Sequence, residues 1–144
     1  MVVHNLPSLE RKFRLLEGGV MPATMVGLLA FARLVAEEAR RLVIQGPKTG
    51  IVYRRRGRSH QASAPGEPPA TMTGELAQSI EVDEDATSKS AYAVAGSPWA
   101  KWLEFGTRMM AARPFMRAAL ENVRRLASFV IGGPIRAFVR GVAQ

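Results

Sequence analysis

Met25, Leu28, Leu29, Ala32, Val35, Ala39, Leu42 and Val43 recur at steps of three and four residues. That spacing places side chains on one face of an α-helix. It predicts a helix over 22–45, with Pro22 in the first turn and Gly46-Pro47 as the stop. Arg33, Glu37 and Arg41 stand four apart on the opposite side, where each pair is worth about 0.3 kcal/mol. Upstream, a short helical pattern from Ser8 to Glu17 ends at Gly18-Gly19. Residues 1–21 therefore read as an N-terminal arm, mobile or ordered only against a partner.

Beyond the long helix, Ile51-Val52-Tyr53 reads as a short strand running into an arginine cluster. Ser59 to Thr73 is rich in Ser, Ala, Pro and Gly, and Pro65, Pro68 and Pro69 should hold it irregular and extended. Thr73 is placed to cap a short helix with Glu75 in its first turn and Leu76 and Ile80 on one face. Ile80 and Val82, then Tyr92 and Val94, alternate around Ala86 to Lys89, the pattern of a β-hairpin with its acidic residues outward. Pro98 opens a short helix carrying Trp99, Trp102, Leu103 and Phe105, closed by Gly106. After a loop from Met109 to Arg113, Pro114 suits the first turn of a last main helix. Met116, Ala119, Leu120, Val123, Ala127 and Val130 form its stripe. Gly132-Gly133-Pro134 should end it, leaving Ile135, Phe138, Val139 and Val142 in a separate amphipathic extension over 132–144. The whole is an α+β reading: a single domain over 22–131, with a small antiparallel sheet packed against a long N-terminal helix and a C-terminal helix.

Composition narrows the chemistry. At 144 residues and 47% apolar, the chain suits one domain with a real core. It has no run of eighteen unbroken apolar residues, so no membrane partner is expected. Met1 to Arg14 lacks the basic start, apolar run and cleavage site of a secretory signal, so folding is expected in the cytoplasm of the producing cell. Cysteine is absent, which removes disulfides, thiolate zinc sites and cysteine nucleophiles. With only His4 and His60, no metal or other cofactor is expected. The net charge of +8 is unevenly spread. Positive charge gathers at Arg54, Arg55, Arg56 and Arg58 and again beyond Glu121, whereas negative charge gathers at Glu81, Asp83, Glu84 and Asp85. Opposite blocks on one small domain suit docking, including docking between copies, better than a uniform DNA-binding face.

Ser59, His60, Ser63 and Glu67 match a hydrolytic set by residue type. They are neighbours in one proline-rich loop, with no nucleophile elbow or oxyanion-forming glycine motif. The acidic block lacks the central glycine and distal glutamate of a calcium loop, so a solvated or docking face is the better reading. Arg54 to Arg58 suits contact with DNA or an acidic partner, against an exposed strand end as the plainer account. No phosphate-binding Gly-x-x-x-x-Gly-Lys motif accompanies it. Trp99, Trp102 and Phe105 at helical spacing read first as core and second as a subunit contact.

His60-Gln61-Ala62-Ser63-Ala64-Pro65-Gly66-Glu67-Pro68-Pro69-Ala70, followed by Thr73-Gly74-Glu75-Leu76 and Ser79-Ile80, resembles a signature of the HK-ninety-seven-type phage tail-component family. So does Trp102-Leu103-Glu104-Phe105-Gly106-Thr107 with Ala112-Arg113-Pro114-Phe115-Met116 and Ala119-Leu120 after it. The resemblance covers roughly Pro47 to Leu120 and implies a small α+β virion protein at the head–tail junction of a long-tailed phage or related particle. A tail-completion, head-closure or tail-terminator role, in a ring of identical copies, is what it implies. Its partners would be other neck, connector and tail proteins, with non-specific contact to packaged DNA, and it brings no catalytic residues. A stiff proline segment costs little entropy to order against a neighbour, so Pro65, Gly66, Glu67, Pro68 and Pro69 are expected at a subunit contact. Trp99, Trp102 and Phe105 are expected to join them. The rival from another class is a DNA-binding accessory protein using Arg54 to Arg58.

Overall fold

A computed structural model describes residues 6–55 and 57–143 of the chain. Its first element, α1, runs unbroken from Leu6 to Gln45. At 1.5 Å per residue it is about 60 Å long. The next elements are β1 (Val52–Arg55) and β2 (Arg58–Gln61), then α2 (Glu75–Gln78). They are followed by β3 (Ile80–Asp85), β4 (Ser90–Ala95), α3 (Ala100–Phe105) and α4 (Met116–Val123). A 3₁₀ turn over Arg124–Leu126 leads into α5 (Ala127–Ala143).

The fold is α+β, as the patterning indicates, but its strands pair in two separate antiparallel ribbons, β1–β2 and β3–β4. The second ribbon is the hairpin expected from the alternation, with Ile80 opposite Ala95 and Asp85 opposite Ser90. The first is a correction: Ser59 to Gln61, expected to be irregular, instead belongs to a strand over Arg58–Gln61 that folds back on Val52–Arg55. Gly57, at φ 77, supplies the left-handed residue of the turn. The N-cap position of α2 is Gly74, one residue later than expected, and the Thr73 hydroxyl accepts from the Glu75 amide at 3.4 Å.

The core lies on the C-terminal half of α1. Ala36, Ala39 and Val43 are fully buried there, and α2, β3, α3 and α4 pack around them through Leu76, Ile80, Ala100, Phe115 and Ala119. Small alanines on α1 let the other elements approach its axis closely. The expected pairs Arg33–Glu37 and Glu37–Arg41 do not form. Arg41 turns instead to Glu38, at 2.6 Å, because Glu38 lies nearer the packed face and also accepts from Asn122 of α4 at 2.7 Å.

Two helix ends expected from glycine and proline are not ends. α1 passes through Gly18-Gly19 and Pro22, and α5 passes through Gly132-Gly133-Pro134. The arm expected over 1–21 is therefore helical from Leu6 onward, and Met1 to Asn5 lie outside the described residues. Tertiary contact explains the difference. α5 lies antiparallel along the N-terminal half of α1, bringing Ile131 to Gly27, Phe138 to Gly19 and the Ala143 carbonyl to the Lys12 ammonium. A Cβ on Gly19 would stand 2.0 Å from the Phe138 ring, and one on Gly27 would stand 2.5 Å from the Ile131 carbonyl oxygen. The glycines that weaken the isolated helix, by about 1 kcal/mol each, are what admit its neighbour.

The resulting two-helix arm is thin. None of residues 8–26, and none of α5, is buried. By length and composition Ser8–Gln45 and Met116–Ala143 are each long and apolar enough to cross a membrane, a property that a search for unbroken apolar runs passes over.

The glycines give a direct contrast. Gly18 has open space where a Cβ would sit, so Gly18→Ala should raise stability by about 0.5–1 kcal/mol. Gly27→Ala should lower the thermal midpoint and speed hydrogen exchange of the α5 amides. Phe115→Ala, at the fully buried centre of the core, should cost about 3–5 kcal/mol in denaturant unfolding.

Candidate functional site

Two of the resemblance-bearing segments meet in space, and two glutamates join them to their surroundings. In the proline loop, Glu67 turns inward: its carboxylate accepts from the Thr49 hydroxyl at 2.5 Å, the Thr49 amide at 2.9 Å and the Ala64 amide at 2.8 Å. These bonds, the Thr49 hydroxyl foremost, hold the Glu67 carboxyl below its ordinary pKa. Pro69 is buried and Pro68 half-buried, whereas Pro65 and Gly66 stay exposed. The Gly66 amide donates to the Ala112 carbonyl at 2.9 Å, and Arg113 donates to the carbonyl of buried Ser63.

Glu104 performs the corresponding task for the second motif. Its carboxylate, on α3, accepts from the amides of Phe115, Met116 and Arg117 at 2.8, 3.0 and 2.8 Å. These are orphan donors at the start of α4, which has no cap from its own first residues. The helix was expected to open at Pro114; it opens at Met116 because a carboxylate from another element closes it, in line with the attraction of negative charge to a helix N-terminus. Gly106, at φ 75, turns the chain between the two: a Cβ there would sit 2.8 Å from the Met110 carbonyl oxygen and the Ala112 nitrogen.

The spacing of Trp99, Trp102 and Phe105 predicts core first and a subunit contact second. They are exposed, at 45%, 55% and 77%, and Met109 of the following turn is exposed beside them in sequence at 96%. Leu103 and Ala100 take the inward positions of α3 instead. Six residues make fewer than two turns, so only one side of α3 faces the core and its remaining aromatics point to solvent. Sequence spacing could not separate these faces, because Leu103 and the aromatics are equally apolar.

The two ribbons carry the charge blocks. β1–β2 bears exposed Tyr53 and Arg54 and pairs Arg55 with Arg58 across the turn. Arg56 and the side chains of Arg55 and Arg58 lie outside the described residues. On β3–β4, Glu81, Asp83 and Asp85 share the outer face with their partners Val94, Tyr92 and Ser90. A cleft of about 530 Å³ opens there, lined by Ser79, Glu81, Val82, Asp83, Val94 and Gly96. Asp85 is held below its ordinary pKa by hydrogen bonds from Ser88, then Thr87, which set the turn.

The hydrolytic set is not assembled. Glu67 is committed to Thr49 and Ala64, and His60 sits in β2 opposite Tyr53. Among the described residues no hydrogen bond links Ser59, His60 or Ser63 to Glu67. No group of three or more metal-ligating side chains occurs among them either.

Two carboxylate experiments test this account. Glu104→Ala should destabilise by about 1–2 kcal/mol, the usual value of a lost helix cap, and expose the α4 amides to exchange. Acid titration tests Glu67 together with Glu38, which hydrogen bonds from Arg41 and then Asn122 hold down to about 2. Lowered folded pKa values mean that the unfolded chain binds more protons. Stability should therefore be complete above about pH 5 and fall as pH drops through the folded values. Glu38→Gln and Glu67→Gln should each flatten the acid limb of the melting-temperature profile.

No protein-family model matches the chain, and neither a curated protein nor a solved structure matches it.

Proposed function

We propose that the chain is a structural protein of a long-tailed bacteriophage or phage-like particle, placed at the head–tail junction and working in an oligomeric ring. The observation that carries this reading is the union of the family-resembling segments. The Pro-Gly-Glu-Pro-Pro loop is bonded to Ala112 and Arg113, and Glu104 fastens the Trp-Leu-Glu-Phe-Gly-Thr helix to the Phe115-Met116 helix start. Glu67, Glu104 and Arg113 of these motifs are spent on internal bonds. The apolar Trp99, Trp102 and Phe105 are left outward, where exposed aromatics suit a subunit contact. The role is structural and not catalytic, and tail completion, head closure and tail termination all remain within it. In the particle, Pro65 and Gly66 reach the same neighbour as the aromatic side of α3.

A second reading, contact with packaged or free DNA, is favoured by one feature: Arg54, Arg55 and Arg58 stand on the two strands beside the turn of a two-stranded ribbon. It predicts duplex binding that weakens steeply with salt and is lost on Arg54→Ala with Arg55→Ala.

Deletion of the gene in the producing strain, followed by negative-stain electron microscopy of lysates, tests the main proposal. Filled heads beside separate tails, joined on addition of purified protein, are expected; normal particles would overturn it. Phe105→Ser should change stability by less than about 1 kcal/mol, as for an exposed position, yet fail to restore joining.

A further inference from the structure

The α1–α5 arm and the outer face of the β3–β4 ribbon have opposite charge, and among the described residues no salt bridge joins them. The arm, residues 6–26 and 127–143, carries Arg11, Lys12, Arg14, Arg136 and Arg140 against only Glu10 and Glu17. Between these charges it exposes large apolar groups, with Phe13 at 57% and Phe129 at 73%. The ribbon has the inverse character: Glu81, Asp83, Glu84 and Asp85 against Lys89, with exposed Tyr92 and Val94 among them. Among the described residues none of those four carboxylates forms a salt bridge.

Within one molecule the arm is fixed along α1. Lys12 lies about 24 Å along the helix axis from Leu28, at 1.5 Å per residue, and Leu28 lines a cavity together with Tyr92 of the ribbon. Surface area points the same way. The chain exposes 10422 Å², against about 7,300 Å² expected for a compact monomer of this mass. The difference, about 3,000 Å², is enough for a standard interface of about 1,600 Å² in total.

We infer that the arm of one copy lies across the acidic outer face of the β3–β4 ribbon of the next. Arginines meet the carboxylates around the cleft at Glu81 and Asp83, and arm aromatics cover Tyr92 and Val94. Because the two surfaces are different, the contact is head to tail and repeats from copy to copy, closing into a ring or extending as a filament. A second copy suits the arm better than a lipid surface does, since an anionic membrane would attract the arm but leave the acidic ribbon unmatched. The inference deepens the ring reading proposed above, but its test needs no particle and so stands or falls apart from the gene deletion.

The test is sedimentation velocity of the full chain and two charge-reversed variants, Glu81→Lys with Asp83→Lys and Arg136→Glu with Arg140→Glu. The unaltered chain should self-associate at low salt and dissociate as salt rises from about 0.05 M to about 0.5 M, where exposed charges are screened. Each variant alone presents like charges on both surfaces and should associate at least tenfold more weakly. Mixed together they regain opposite charges and should associate again, a rescue that misfolding would not give. Variants that assemble like the unaltered chain, or a mixture that stays apart, overturn the inference. So does an unaltered chain that stays monomeric, whether or not it sediments with vesicles of phosphatidylcholine and phosphatidylserine; sedimenting would show that a lipid surface covers the arm.

Discussion

Ala36, Ala39 and Val43 are wholly buried on one face of α1, and the other layers of the head are placed by contact with that stripe. Small residues at these positions bring α4 and the β3–β4 ribbon close to the helix axis. Ile80 and Phe115 then fill the space between the layers as its largest fully buried side chains besides Val43. The same economy of side-chain volume recurs at the other end of α1. There Gly19 and Gly27 admit Phe138 and the Ile131 backbone. One helix thus serves as the spine of a packed head and of a thin arm, and small residues set how closely its partners approach in both.

Three carboxylates connect elements that apolar packing alone would leave unregistered. Glu38 ties α1 to α4 through Asn122, Glu67 ties the proline loop to Thr49, and Glu104 closes the start of α4. Each accepts several donors, so its charge is distributed over bonds and loses little from partial removal from water. This placement bears on function. Glu67 and Glu104 of the family-resembling motifs are occupied in holding the fold, and their chemistry is that of acceptors for amide and hydroxyl donors. What the motifs leave exposed is the surface these bonds shape: an outward aromatic side of α3 and the Pro65-Gly66 bend.

The distribution of exposed groups follows from the same architecture. A head with one core covers only the C-terminal half of α1, so the apolar residues of the other half find cover on one side, from α5, and face solvent on the rest. A two-helix layer has no third layer to bury its outer faces, and hydrophobic burial is the main favourable term in folding. An arm of this kind therefore gains by contact with another surface. The segregation of its positive charge from the acid-rich ribbon gives that contact a direction.

Much of the architecture was legible in the chain. The three- and four-residue recurrence from Met25 to Val43 identified the core helix and its buried face, and alternation around Ala86 to Lys89 identified the β3–β4 hairpin. Gly46-Pro47 and Gly106 mark real ends: α1 stops at Gln45, just before Pro47, and α3 stops at Phe105, where Gly106 takes φ 75. These are local signals, fixed by backbone geometry and side-chain period. Tertiary structure decided the rest. Gly18-Gly19 and Gly132-Gly133-Pro134 look like breaks in isolation, yet helix continues through them because α1 and α5 pack together there, and contact outweighs weak intrinsic propensity. The same holds for the strand at Arg58–Gln61, which exists only as the partner of β1, and for Trp99, Trp102 and Phe105, whose exposure depends on which side of a short helix meets the core. Sequence period determined which residues share a face; for an element as short as α3, only the packed neighbours decided which face was inside.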